Sequence, residues 1–163
     1  MDKKATLFEF ASYEFNPAKK QVVFYYATHF EGGGVMHFTE TILFPKAPNL
    51  KNLPKELLEK LLQSLHIMLG ISYYKFYCAP EIKLPYSLSK GEADFFTTVY
   101  QKGLGEFFYK NSLDPNLSPK FPHDDTVKTT NYSLPTTNSR SLVGIGGGKD
   151  SIVAVELLKE AGF

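Results

Sequence analysis

Six residues near the carboxyl end of the chain combine a pliable backbone, both signs of charge and a hydroxyl: Gly146, Gly147, Gly148, Lys149, Asp150 and Ser151. Three consecutive glycines let the main chain come close to a phosphate, because no Cβ stands in the way. Ahead of them Ser141-Leu142-Val143 is short and apolar and reads as a buried strand. Behind them the stretch from Ile152 to Gly162 reads as a helix, with Ile152, Val155 and Leu158 at helical spacing and Gly162 as its stop. Strand, glycine turn, helix is an arrangement in which backbone N–H groups converge on an anion at a helix N-terminus. The bland alternative is a tight turn whose glycines only permit the bend, with Asp150 and Ser151 as ordinary N-capping residues.

Register decides between phosphate loops. The dinucleotide pattern G-x-G-x-x-G fails, since Lys149 stands where a third glycine should follow Gly144 and Gly146. The pattern G-x-x-x-x-G-K-[ST] fails too, with Val143 in place of its first glycine and Asp150 after Lys149. The core Gly147-Gly148-Lys149-Asp150-Ser151 does fit G-G-x-D-S. It resembles the PP-loop of the N-type ATP pyrophosphatases, which cleave ATP to AMP and pyrophosphate while adenylating a substrate. Their motif usually opens with Ser, and Gly146 occupies that place, so one hydroxyl donor is missing here.

The elements that must position this loop read as follows. Residues 6–15 and 21–30 are strands rich in β-branched and aromatic residues, joined by the turn chemistry of Asn16-Pro17-Ala18-Lys19-Lys20. Glu31-Gly32-Gly33-Gly34 turns the chain into a third strand from Val35 to Phe44, giving an antiparallel meander closed by Pro45 and Pro48. No helix follows Gly32-Gly33-Gly34, so it reads as a hairpin loop and not a second phosphate site. Pro54 opens a helix that ends at Gly70, with Leu57, Leu61, Leu65 and Met68 as its apolar face. Residues 71–78 read as a strand or loop crowded with aromatics, and Glu81-Ile82-Lys83 as short and extended. A second helix runs from about Ser89 to Tyr109, with Ser89 and Glu92 as a capping box and a break near Gly103 and Gly105.

Composition narrows the class. At 163 residues the chain has room for one ordinary domain with a real core. Eighteen basic and 17 acidic side chains leave a formal charge of +1, so no field draws nucleic acid or an anionic membrane surface. The lone Cys78 excludes an internal disulfide and a multi-cysteine zinc site. No apolar run reaches membrane-spanning length, and Met1-Asp2-Lys3-Lys4 has no signal-peptide segment behind it, which makes a cytoplasmic protein the default. Residues 111–140, with four prolines and many Ser, Thr, Asn and Asp, read as a long connection. The domain reading is therefore an α+β domain over 1–110, a linker over 111–140, and over 141–163 the start of an α/β PP-loop domain of the adenine nucleotide alpha hydrolase type. One strand and one helix cannot make a nucleotide-binding sheet. The chain thus reads as the amino-terminal piece of a longer protein, inactive alone.

Two side features carry a metal reading and a plainer one. His29 and His37 flank the glycine hairpin, but a zinc site needs at least three protein ligands and no third is near. Asp124 and Asp125 are acidic candidates for magnesium or substrate, against a solvated charge pair in the connection.

Taken together, Glu40-Thr41-Ile42-Leu43-Phe44-Pro45, Leu69-Gly70-Ile71-Ser72-Tyr73-Tyr74-Lys75, Gly103-Leu104-Gly105-Glu106-Phe107 and Gly144 to Ser151 resemble one family, the UDP-N-acetylmuramoyl-L-alanyl-L-glutamate epimerases of bacterial peptidoglycan synthesis. The resemblance covers most of this chain and about the first third of a typical member. It implies an isomerase of cell-wall biogenesis, and so of cell shape, that inverts the terminal L-glutamate of a UDP-linked muramoyl dipeptide with ATP and magnesium. It further implies that Gly146, Gly147 and Gly148 present N–H groups to the pyrophosphate and that Ser151 donates its hydroxyl there. Lys149 would add positive charge, and Asp150 would cap the helix or help hold magnesium. The partner implied is the small-molecule substrate, with no nucleic acid and no membrane. Two rivals remain open: another adenylating PP-loop enzyme, such as a tRNA-modifying or amide-forming ligase, and a non-catalytic binding module.

Overall fold

The computed structural model describes residues 4–51, 53–114, 119–127, 144 and 148–161. The chain divides into two compact units, Met1–Thr130 and Asn131–Phe163. In the first, strands β1 (Ala5–Asn16), β2 (Gln21–Phe30) and β3 (Val35–Leu43) form the expected antiparallel meander. A short β4 (Glu81–Lys83) then lies parallel to β1, Leu7 meeting Glu81 and Glu9 meeting Lys83, so the sheet is mixed, with order β3-β2-β1-β4. The described architecture is α+β.

Both hairpins are closed by backbone geometry their sequences favour. Lys20 takes a positive φ of 55° at the end of its turn, where Lys20 N–H donates to Pro17 O and Lys19 N–H to Asn16 Oδ1. Gly32 and Gly33, at φ 84° and 86°, occupy the left-handed region open to glycine at no steric cost. A bulge in β1 between Phe10 and Ser12 resets its alternation. Phe8 and Phe10 before it and Tyr13 and Phe15 after it thereby all join the same apolar cluster.

Helix α1 (Lys55–Tyr74) differs from its sequence reading in length and in facing. It does not stop at Gly70, and the aromatic stretch read as strand or loop is its last turn and the tight turn after it, where Cys78 N–H reaches Tyr74 O at 2.9 Å and Cys78 takes a φ of 46°. The buried stripe is Leu62, His66, Ile67, Gly70 and Tyr74, whereas Leu61, Leu65 and Met68 are each at least 40% exposed. The reason is contact. A Cβ on Gly70 would stand 2.4 Å from Phe10 Cε1 and 3.0 Å from Tyr26 Cε1, so this glycine marks where helix and sheet press together. Tyr26 and Tyr100 donate their hydroxyls to the α1 carbonyls of His66 (3.1 Å) and Ile67 (2.7 Å), satisfying two buried phenols.

Helix α2 (Lys90–Gly103) starts as expected: Ser89 N–H donates to Glu92 Oε2 at 2.8 Å and Glu92 N–H to Ser89 Oγ at 3.4 Å. Lys60 on α1 reaches Glu92 Oε1 at 2.9 Å, tying the two helices. Leu104 breaks the helix, and α3 (Gly105–Lys110) follows. Residues 119–127, within the stretch whose composition suggests a connection, lie on this unit. Phe121 is 4% exposed among Phe10, Phe96 and Tyr100, its N–H donates to Thr97 Oγ1, and Asp124 N–H donates to Leu88 O. The second unit contributes α4 (Lys149–Glu160), none of whose residues is buried. The expected strand Ser141-Leu142-Val143 lies outside the described residues. No helix among the described residues is long and apolar enough to cross a membrane.

Candidate functional site

Of the predicted phosphate-binding residues, Gly148, Lys149, Asp150 and Ser151 fall at the start of α4, brought together by local sequence. Gly148 is the N-cap in extended backbone, and Lys149, Asp150 and Ser151 form the first turn. Gly146 and Gly147 lie outside the described residues. No side chain caps this helix, and Ser151 donates its hydroxyl back to Gly148 O at 2.8 Å. The sequence-level alternative of Asp150 as an N-cap therefore does not hold: Asp150 sits one residue inside the first turn, beyond the cap position. Uncapped first-turn N–H groups beside the exposed Lys149 and Asp150 fit a polyphosphate. Magnesium is bound through one or two carboxylates plus phosphate oxygens, so Asp150 beside such a ligand fits that ion as well. Among the described residues no group of three His, Cys, Asp or Glu could hold a metal unaided.

The two histidines at the glycine hairpin do not form a pair. His29 Nε2 lies 2.8 Å from Glu9 Oε2, and Lys83 Nζ lies 2.7 Å from Glu9 Oε1. The Lys83 ammonium, with the His29 ring beyond it, holds the Glu9 carboxyl below the usual carboxylate range. This half-buried cluster joins β2, β1 and β4 on one face of the sheet. Sequence reading missed it because Lys83 reaches Glu9 only through the parallel pairing. His37, across from Ala27, is exposed.

Asp124 accepts from Thr126 N–H (2.9 Å) and Thr126 Oγ1 (2.6 Å), and these bonds hold its carboxyl below its ordinary value. Asp125 stands 3.4 Å from His123 Nε2. Asp124 thus serves a turn, whereas Asp125 stays exposed beside His123.

His66 is the second residue the sequence left unremarked. It is fully buried, with Phe10, Tyr13, Phe24, Tyr26 and Tyr86 as ring neighbours at 4.9–6.1 Å. Nε2 lies 3.2 Å from Tyr25 O, which can only accept, so Nε2 carries the proton. Nδ1 is then an acceptor for the Tyr86 hydroxyl at 3.4 Å, in competition with Gln63 O at 3.1 Å. Desolvation pushes the imidazole down to about 4, and it stays neutral. Concave surfaces of about 600 Å³ beside Phe108 and Leu113 and about 480 Å³ beside Ile82 and Phe121 are lined by none of the predicted site residues.

The family model described as the MurL N-terminal domain matches residues 1–163. Three curated relatives carry the name UDP-N-acetyl-alpha-D-muramoyl-L-alanyl-L-glutamate epimerase. The protein from Micromonospora sp. is 35% identical over 159 residues, 96% of this chain and 35% of its own length. That from Salinispora tropica is 34% identical over 161 residues, 96% of this chain and 34% of its own. That from Xanthomonas oryzae pv. oryzae is 37% identical over 127 residues, 76% of this chain and 28% of its own. The chain spans about a third of the length of the curated relatives it matches. No solved structure matches it.

Proposed function

The chain belongs to the MurL N-terminal domain family, and from that membership we propose that it is the amino-terminal part of an epimerase. The enzyme would invert the terminal L-glutamate of UDP-N-acetylmuramoyl-L-alanyl-L-glutamate in peptidoglycan synthesis. The observation that carries this reading is agreement along the chain: one family model matches every residue, and relatives of a single name match 96% of it.

The chemistry such an enzyme faces explains a nucleotide loop. An α-proton beside an ionised carboxylate is hard to remove, because the resulting dianion is unstabilised. Attack of the glutamate carboxylate oxygen on the α-phosphorus of ATP releases pyrophosphate and masks that charge in an acyl adenylate, whose α-proton is far more acidic. One group then takes the proton and another returns one to the opposite face. Hydrolysis of the adenylate yields the D-glutamate form and AMP, which makes the cycle irreversible. In this proposal Gly146, Gly147 and Gly148 offer N–H groups to the departing pyrophosphate. Ser151 rotates its hydroxyl from Gly148 O toward the same group, and Lys149 adds positive charge. Asp150 would help hold magnesium, which would supply positive charge against the phosphate oxygens.

The test is made in a polypeptide of the relatives' full length that carries this segment. With ATP, magnesium and the UDP-linked dipeptide, it should release pyrophosphate only when the dipeptide is present and convert L- to D-glutamate. Ser151→Ala should lower that release by about 10²-fold or more, the scale of losing one donor to a developing oxyanion. Unchanged release would remove Ser151 from the reaction, and no inversion by the unsubstituted protein would sink the reading.

A further inference from the structure

The sheet protects one of its edges and leaves the other open. At one end β4 is only three residues long and carries Glu81 and Lys83, and short, charged edges resist pairing with another chain. At the other end β3 runs nine residues, with no proline or lysine and a single carboxylate, Glu40. It pairs with β2 from Gln21 opposite Leu43 to His29 opposite Val35 with no register shift. Among the described residues no strand lies on its outer side.

Which backbone groups face outward follows from the ends of the hairpin. Phe30 N–H donates to Gly34 O at 2.9 Å, and Phe44 N–H donates to Lys20 O at 2.7 Å. In an antiparallel ladder hydrogen-bonded pairs alternate with non-bonded ones. Met36, Phe38, Glu40 and Ile42 therefore bond toward β2. The N–H and C=O groups of Val35, His37, Thr39, Thr41 and Leu43 point away from it. Tyr73 Oη, 3.3 Å from Thr39 O, reaches one of these outward carbonyls.

We propose that this edge is a self-association surface, on which a second copy of the chain pairs its own β3 antiparallel about a two-fold axis through Thr39. That axis engages the whole strand, whereas centring on His37 or Thr41 would leave outward groups unpaired. In this register Thr39 faces its counterpart, His37 faces Thr41, and Val35 faces Leu43, which is 70% exposed in the single chain. On the other face Met36 meets Ile42 and Phe38 meets Glu40. The exposed Val35, Met36 and Leu43 thus each meet an apolar side chain, and the two Glu40 carboxylates are not opposed, which an axis through Glu40 would force. The Tyr73 hydroxyl keeps its 2.7 Å bond to Glu40 Oε2 when the Thr39 carbonyl is taken up by the partner strand. The product is one continuous eight-stranded sheet whose outer edges are both β4.

Sedimentation equilibrium of the 163-residue chain over a range of concentrations tests this. The expected mass rises from 18.4 kDa toward twice that value as concentration increases. Thr39 is exposed, so Thr39→Lys and Thr39→Glu should each keep the thermal midpoint of the chain while placing like charges face to face at the axis. Each should weaken the dimer roughly fivefold or more, and an equimolar mixture of the two should recover it. A single-chain mass up to the solubility limit would overturn the proposal, and would leave the edge to another segment or another protein. So would a dimer indifferent to both substitutions, or a mixture no tighter than either alone.

Discussion

A histidine that the fold cannot easily protonate makes stability depend on pH in a window of its own. In the unfolded chain the His66 imidazole titrates at its ordinary 6.5, and in the fold at about 4. Between those values the unfolded state binds a proton that the folded state refuses, so stability falls as pH drops from 6.5 toward 4. The displacement corresponds to about 3 kcal/mol by pH 4, at 1.36 kcal/mol per unit. The Glu9 carboxyl acts at the acid end of this window and below it: its contribution is present above 4.5 and is lost as pH falls from there through its lower folded value. Chemical denaturation at pH 7 and pH 5 should show the loss in the native chain and little of it in His66→Phe. An equal loss in that variant would assign the effect elsewhere. None of this was legible from the sequence, where His66 is one polar residue in a leucine-rich helix. Its environment is made by Tyr13 and Phe10 on β1, Phe24 and Tyr26 on β2, and Tyr86, which only the fold assembles. That Lys149, Asp150 and Ser151 open a helix was legible, by contrast, because it follows from local sequence.

At the scale of elements, the strands and the Ser89–Glu92 capping box follow from local pattern, and the facing of α1 does not. That helix has leucines on two sides, with Leu58 and Leu62 toward the sheet and Leu61 and Leu65 away from it, so periodicity alone cannot choose. What chooses is Gly70, which sequence reading took for a stop signal. Gly70→Ala weighs two effects against each other. Replacing a helix-interior glycine gains about 1 kcal/mol in propensity. Forcing a methyl to 2.4 Å from the buried Phe10 ring costs on the order of 1–3 kcal/mol, because that ring is fully enclosed and cannot swing aside. We expect a net loss of stability and a lower thermal midpoint. A variant more stable than the parent would mean that helix and sheet are less closely apposed than described.

At the scale of the whole chain, every buried member of the apolar cluster among the described residues falls between Ala5 and Phe121. A chain ending at Thr130 should therefore unfold cooperatively at the same midpoint as the 163-residue chain. Phe121→Ala, which removes a ring packed on Phe10, Phe96 and Tyr100, should cost about 3–5 kcal/mol in either. A large drop on shortening alone would show that the second unit contributes to the fold of the first. Composition could not reveal this role of Phe121, because it sits among prolines and polar residues typical of a connection.

The parallel strand β4 has a consequence in time. The two hairpins bring together residues close in sequence, but Leu7 meets Glu81 only after α1 has formed and the chain has returned, and closing such a loop costs entropy before any contact repays it. The meander with α1 should then be the folding nucleus and β4 a late arrival. Ile82→Ala is expected to quicken unfolding while leaving the refolding rate nearly unchanged, whereas Phe24→Leu in the hairpin should slow refolding. Stopped-flow traces with the opposite pattern would place the pairing of β4 with β1 at the start of folding instead of its end.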